Sequence, residues 1–122
     1  MTEMLVDQAT TYQDAVQAVF QMVKERPYVN SLDIEAIPIL AYALVLGNRR
    51  GLSVDDMRSV LSTKQMLRTL VDGAVKSSDE QEQLAARLLE RWLNDPIQTE
   101  QAHKTGVLVS AHALLFEQRS SF

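Results

Sequence analysis

Histidine is scarce and cysteine absent in this 122-residue chain, so spacing decides what metal or acid–base chemistry its side chains can do. His103 and His112 are its two histidines, and they stand nine positions apart. A helical metal pair needs a spacing of three or four, so that both rings leave the same face. Glu100 and His103 do have the Glu-x-x-His spacing of di-iron bundles. Such a centre takes a second copy of that motif and further glutamates from facing helices, and the sequence holds no second copy. His103 is therefore expected on the exposed side of a helix start. His112, set among alanines and leucines, is expected in the core or at an interface, bonded to backbone.

The carboxylate clusters have an equally plain reading. Asp55-Asp56 and Asp79-Glu80-Glu82 fall where helices should begin, and acids there complement the helix dipole without any catalytic duty. There is no cysteine nucleophile and no Gly-x-Ser-x-Gly elbow. The four glycines, at 47, 51, 73 and 106, do not make a phosphate loop. The expectation is a protein without catalytic residues, cofactor or metal. The absence of cysteine fits a reducing compartment. The N-terminal residues lack the basic and apolar regions of a secretory signal, so a cytoplasmic location is expected.

Charge is uneven along the chain. The net charge is −4, with −4 over residues 1–48, +3 over 49–76 and −3 over 77–122. A weakly acidic whole argues against general nucleic-acid binding, yet one basic segment stands out. Residues 53–72 read helix, short turn, helix, loosely similar to a helix-turn-helix. On that alternative reading Lys64, Gln65, Arg68 and Thr69 face DNA, while Arg49, Arg50 and Arg58 meet phosphates. Two features depart from the motif. Arg58 occupies the place where it wants a small residue, and the turn at Leu61-Ser62-Thr63 has no glycine.

The elements that position these residues follow from apolar periodicity. The uncharged run 36–47 needs the rest of the chain to cover it. Its leucines and alanines favour helix. It is capped by Ser31 or Asp33, holds Pro38 in its first turn, and ends on a left-handed Gly47. It stops well short of the roughly 20 apolar residues of a membrane span, so a core helix is expected and no membrane contact. Before it, Thr10 or Thr11 caps a helix with Tyr12, Val16, Val19, Phe20 and Val23 inward. After it come a short helix capped by Ser53, one capped by Ser62 with Met66, Leu67, Leu70, Val71 and Val75 inward, and one opening in 77–81 with Leu84, Ala85, Leu88, Leu89, Trp92 and Leu93 inward. Asp95 and Pro96 should start a last helix reaching toward Gln118, with Gly106 as a place to kink.

The expected fold is a single all-α domain of about six helices. Two of them, over 36–47 and 107–116, are apolar nearly all round. One core of this size centres more easily on one such helix than on two, which points to a two-fold homodimer. The functional expectation is a small protein-interaction module: an adaptor, regulatory subunit or inhibitor that binds another protein. Its contact surface would be Val107, Val109, Leu114 and Phe116, with Phe122 at the tail.

Overall fold

The computed structural model describes residues 8–95 and 101–120, with side chains over 8–95 and 104–115. The fold is all-α. Its described helices are α1 (Tyr12–Lys24), α2 (Ser31–Arg49), α3 (Val54–Val60), α4 (Lys64–Ala74), α5 (Glu80–Asn94) and α6 (Gln101–Ser120). There is no strand among the described residues. The Asp95–Pro96 start expected for the last helix and the apolar residues Met4, Leu5 and Val6 lie wholly or partly outside them.

α2 is the axis. Eleven of its nineteen residues are buried, so no single neighbour could cover it. α1, α5 and α6 pack along it, and α3 and α4 touch its far end. Leu40, Leu44 and Leu46 are among the largest fully buried side chains, each contributing about 1.5–3 kcal/mol by leaving water.

The helices start where side-chain oxygens take up free backbone N–H groups. Thr11 Oγ1 accepts from Asp14 N at 3.2 Å. Asn30 Oδ1 accepts from Asp33 N at 2.9 Å while Asp33 Oδ2 accepts from Asn30 N at 3.1 Å, a reciprocal box. Ser53 and Asp56 form another, at 3.1 and 3.0 Å. Two caps differ from expectation, and the third falls within the expected opening. α2 is capped by Asn30, because only from there does Asp33 fall where it can close the box. α4 is capped by Thr63; the Ser62 hydroxyl instead donates to Ser59 O at 2.6 Å, at the end of α3. α5 is capped by Asp79, which accepts from Gln81 and Glu82 N, while Ser77 Oγ accepts from Asp79 N.

Three expectations for α2 are corrected. Pro38 is its eighth residue and lies inside the helix. Its missing N–H removes a bond to the Ile34 carbonyl, and Ile34 is on an exposed position where water can reach that oxygen. Gly47 is buried within the helix; the left-handed residue is Gly51, with φ of 78°. The membrane argument from length also fails, since α2 runs 19 residues and is apolar and long enough to cross. What favours a core helix is that 61% of that stretch is buried by the other helices, and that Asp33 lies within α2.

α6 lays Val107, Leu108, Ala111, Leu114 and Leu115 into the core and continues through Gly106, whose Cα side faces Leu32 of α2. The two apolar helices therefore pack against each other within one chain along their described length, with Val109 left outside. Phe20, Met66 and Leu84, expected inward, are exposed.

Lys104 is only 3% exposed. Its Nζ donates to Leu93 O at 2.8 Å and Asp95 O at 3.2 Å, so a cation closes the negative end of α5. Lys104→Met keeps the aliphatic stem and leaves those carbonyls without this donor. It should cost about 1–2 kcal/mol of stability, read from urea midpoints; an unchanged midpoint would show that the contact does not hold α5 to α6.

Candidate interaction face

α1 and α2 form an antiparallel hairpin. Near its open end Tyr12 stacks on Tyr42, ring centroids 4.3 Å apart and planes 19° from parallel. Burial first, and then the neighbouring Tyr12, push the Tyr42 phenol above its ordinary pKa. One turn further toward the connector Val16 and Pro38 are half-buried, and beyond them Phe20 is 49% and Ile34 55% exposed. In the connector, Tyr28 is 82% exposed and Val29 also stands outside.

The sequence-derived contact surface on α6 does not assemble. Val107 and Leu114 are buried in the core, whereas Val109 is 62% exposed on the opposite side. Helical period explains it: 107 and 114 are two turns apart and share a face, and 109 lies some 200° around from 107. The side chains of Phe116 and Phe122 lie outside the described residues. Val109 instead borders an open groove of about 350 Å³ between α6 and the start of α4, lined by residues 62–65 with Thr105 and Leu108. Among the described residues no histidine or carboxylate lines it.

The basic set is divided by its own ion pairs. Arg49 Nε donates to Thr10 O at 2.5 Å and its Nη1 to Asp79 at 2.7 Å. Arg50 pairs with Glu82 at 3.0 Å. Arg58 pairs with Asp55 and donates to Leu115 O. These arginines tie α2 to α5 and α3 to α6 and are neutralised within the chain. Lys64 and Arg68 remain partly exposed on α4 beside Gln65, and Thr69 Oγ1 is turned back on the Gln65 carbonyl at 3.0 Å. The phosphate-facing set expected of a DNA binder is thus engaged elsewhere. Asp79 sits below the usual aspartate pKa because the Glu82 backbone N–H and the Arg49 guanidinium bond its carboxylate.

One buried polar cluster joins distant segments. Asp33, 5% exposed, accepts from Arg26 Nη1 at 3.0 Å, from the Ser110 hydroxyl and from Asn30 N. Burial pushes its carboxyl up, but the bonds from Ser110, Asn30 and Arg26 outweigh this and hold it below the ordinary value. The arrangement is a clasp between α6 and the start of α2, with every neighbour stabilising the anion. Among the described residues no group of three or more His, Asp or Glu side chains converges as a metal site would require. His112 is half-buried on α6, and the His103 side chain lies outside the described residues.

Comparison of the chain with known protein families, with curated proteins and with solved structures finds no match.

The hairpin face escaped the sequence reading because Phe20 fits the apolar stripe of α1 as well as Val19 or Val23 does. The available signal was Tyr28-Val29 beside Pro27, an apolar pair in a connector where a turn ordinarily carries polar residues.

Proposed function

We propose that this chain is a protein-interaction module without catalytic activity, an adaptor, regulatory subunit or inhibitor, whose contact face is the closed end of the α1–α2 hairpin. The observation that carries this is placement. Of the seven large hydrophobic side chains exposed among the described residues, Phe20, Tyr28, Val29 and Ile34 fall on this one hairpin. Single exposed hydrophobics need no explanation, whereas a contiguous group marks a binding surface. Aromatic enrichment is one mark of an interface core, and Phe20 and Tyr28 supply it beside the exposed Lys24, Glu25 and Glu35. The groove between two antiparallel helices suits the apolar face of a helix from another protein. The pairing of Arg49, Arg50 and Arg58 with acids is why a nucleic-acid partner is not the one proposed.

A photo-crosslinking side chain placed in turn at positions 20, 28 and 34 tests the face, with position 84 as the control because Leu84 is equally exposed on α5. In native extract the hairpin positions should capture a protein and position 84 should not. Equal capture at position 84, or none at the hairpin, would overturn the reading.

A further inference from the structure

We infer that the outer face of α1 binds a second copy of this chain about a two-fold axis, with the two α1 helices antiparallel. This rests on the reading of the hairpin as a binding face and names one occupant of its α1 side. Each copy carries a net charge of −4, so two copies repel unless they meet where charge is absent or complementary. α1 offers both conditions. Asp14 is the acid of its first turn, Lys24 is the base of its last, and residues 15–23 between them carry no charge. The side facing away from buried Ala15, Ala18, Val19, Met22 and Val23 presents Gln13, Gln17, Phe20 and Gln21, all exposed.

An antiparallel copy centred near Val19 brings Asp14 level with the partner's Lys24, and by symmetry Lys24 level with the partner's Asp14. A parallel copy would oppose like charges at both ends. The same antiparallel register sets Gln17 against the partner's Gln21. An amide both donates and accepts, so a glutamine row pairs with its own copy where a carboxylate row could not. Opposed helix dipoles act in the same direction. The face is small: α1 has 13 residues and is about 20 Å long. A dimer built on it belongs to the weak, concentration-dependent class.

Sedimentation equilibrium on the full chain tests this. The mass should rise from 13.7 kDa toward twice that value through the micromolar range. Lys24→Glu faces the partner's Asp14 with a like charge at both ends and should weaken the dimer about tenfold. The exchange Asp14→Lys with Lys24→Glu restores opposite charges and should recover most of that loss. Phe20→Glu should abolish the dimer, with circular dichroism reporting that each variant is folded. A mass that stays monomeric overturns the dimer, and crosslinking of a different protein at positions 28 and 34 would then leave the proposed function standing. A dimer indifferent to Lys24→Glu and Phe20→Glu overturns its placement on α1.

Discussion

Asp33→Ala should remove about 3–5 kcal/mol of folding stability, the scale of breaking a buried, hydrogen-bonded charge pair. The substitution takes an acceptor from Arg26, from Asn30 N and from the buried Ser110 hydroxyl at once, and it opens the box that starts α2. Asp33→Asn keeps the shape without the charge and should cost less, about 1–3 kcal/mol. The pH dependence separates these effects. The folded carboxyl sits below its ordinary value, so the stabilisation it gives is complete above the unfolded-state pKa and is lost as pH falls through the folded one. Urea unfolding at neutral pH and again near pH 2 should show the gap between the native chain and Asp33→Asn narrowing on acidification. Some acid sensitivity should remain in the variant, because the Asp79 carboxyl is also lowered. A gap that is constant with pH would mean that the charge of Asp33 contributes nothing to stability.

Gly47→Val should destabilise by about 3 kcal/mol, the upper part of the range for overpacking a core. A Cβ at Gly47 would lie 2.0 Å from Met57 Sδ and 3.0 Å from its Cγ. Met57 is flexible, but it is 1% exposed and enclosed by the chain. Gly47 is thus the place where α3 comes down onto α2. Met57→Ala alone should cost about 2–5 kcal/mol through the cavity it leaves. The two sites share one space, so the double variant should be more stable than the sum of the single losses by more than about 1 kcal/mol. Additive losses in denaturant unfolding would show that the two residues do not compete for it.

The helices were largely legible because each rests on local chemistry. Thr11, Ser53 and the apolar period of α1 and α5 act within a few residues, and the chain order of six helices follows from them. The errors collect where the deciding partner is remote. Gly47 resembles a helix terminator until Met57, ten positions on, is seen to occupy its side. Pro38 resembles a first-turn proline because nothing local reveals that Asn30 starts the helix earlier. Val107 and Leu114 looked available for a partner because an all-apolar helix does not announce which side its own chain covers. The burial of Lys104 and Asp33 has no local signal, since the carbonyls of Leu93 and Asp95 and the hydroxyl of Ser110 are not their neighbours in sequence. Of the interaction face, only the exposed Tyr28-Val29 connector left a local trace.

The clasp between Ser110 and Asp33 spans 77 positions, and it has a consequence for how the polypeptide is made. At roughly 5–20 residues per second, α2 is finished about 3–12 s before Ser110 is added. During that interval the leucine-rich flank that α6 will later cover is open on the nascent chain, with α1 shielding only its own side and α5 (Glu80–Asn94) still to be made for most of it. The waiting flank is where a chaperone would be expected to hold on until α6 arrives.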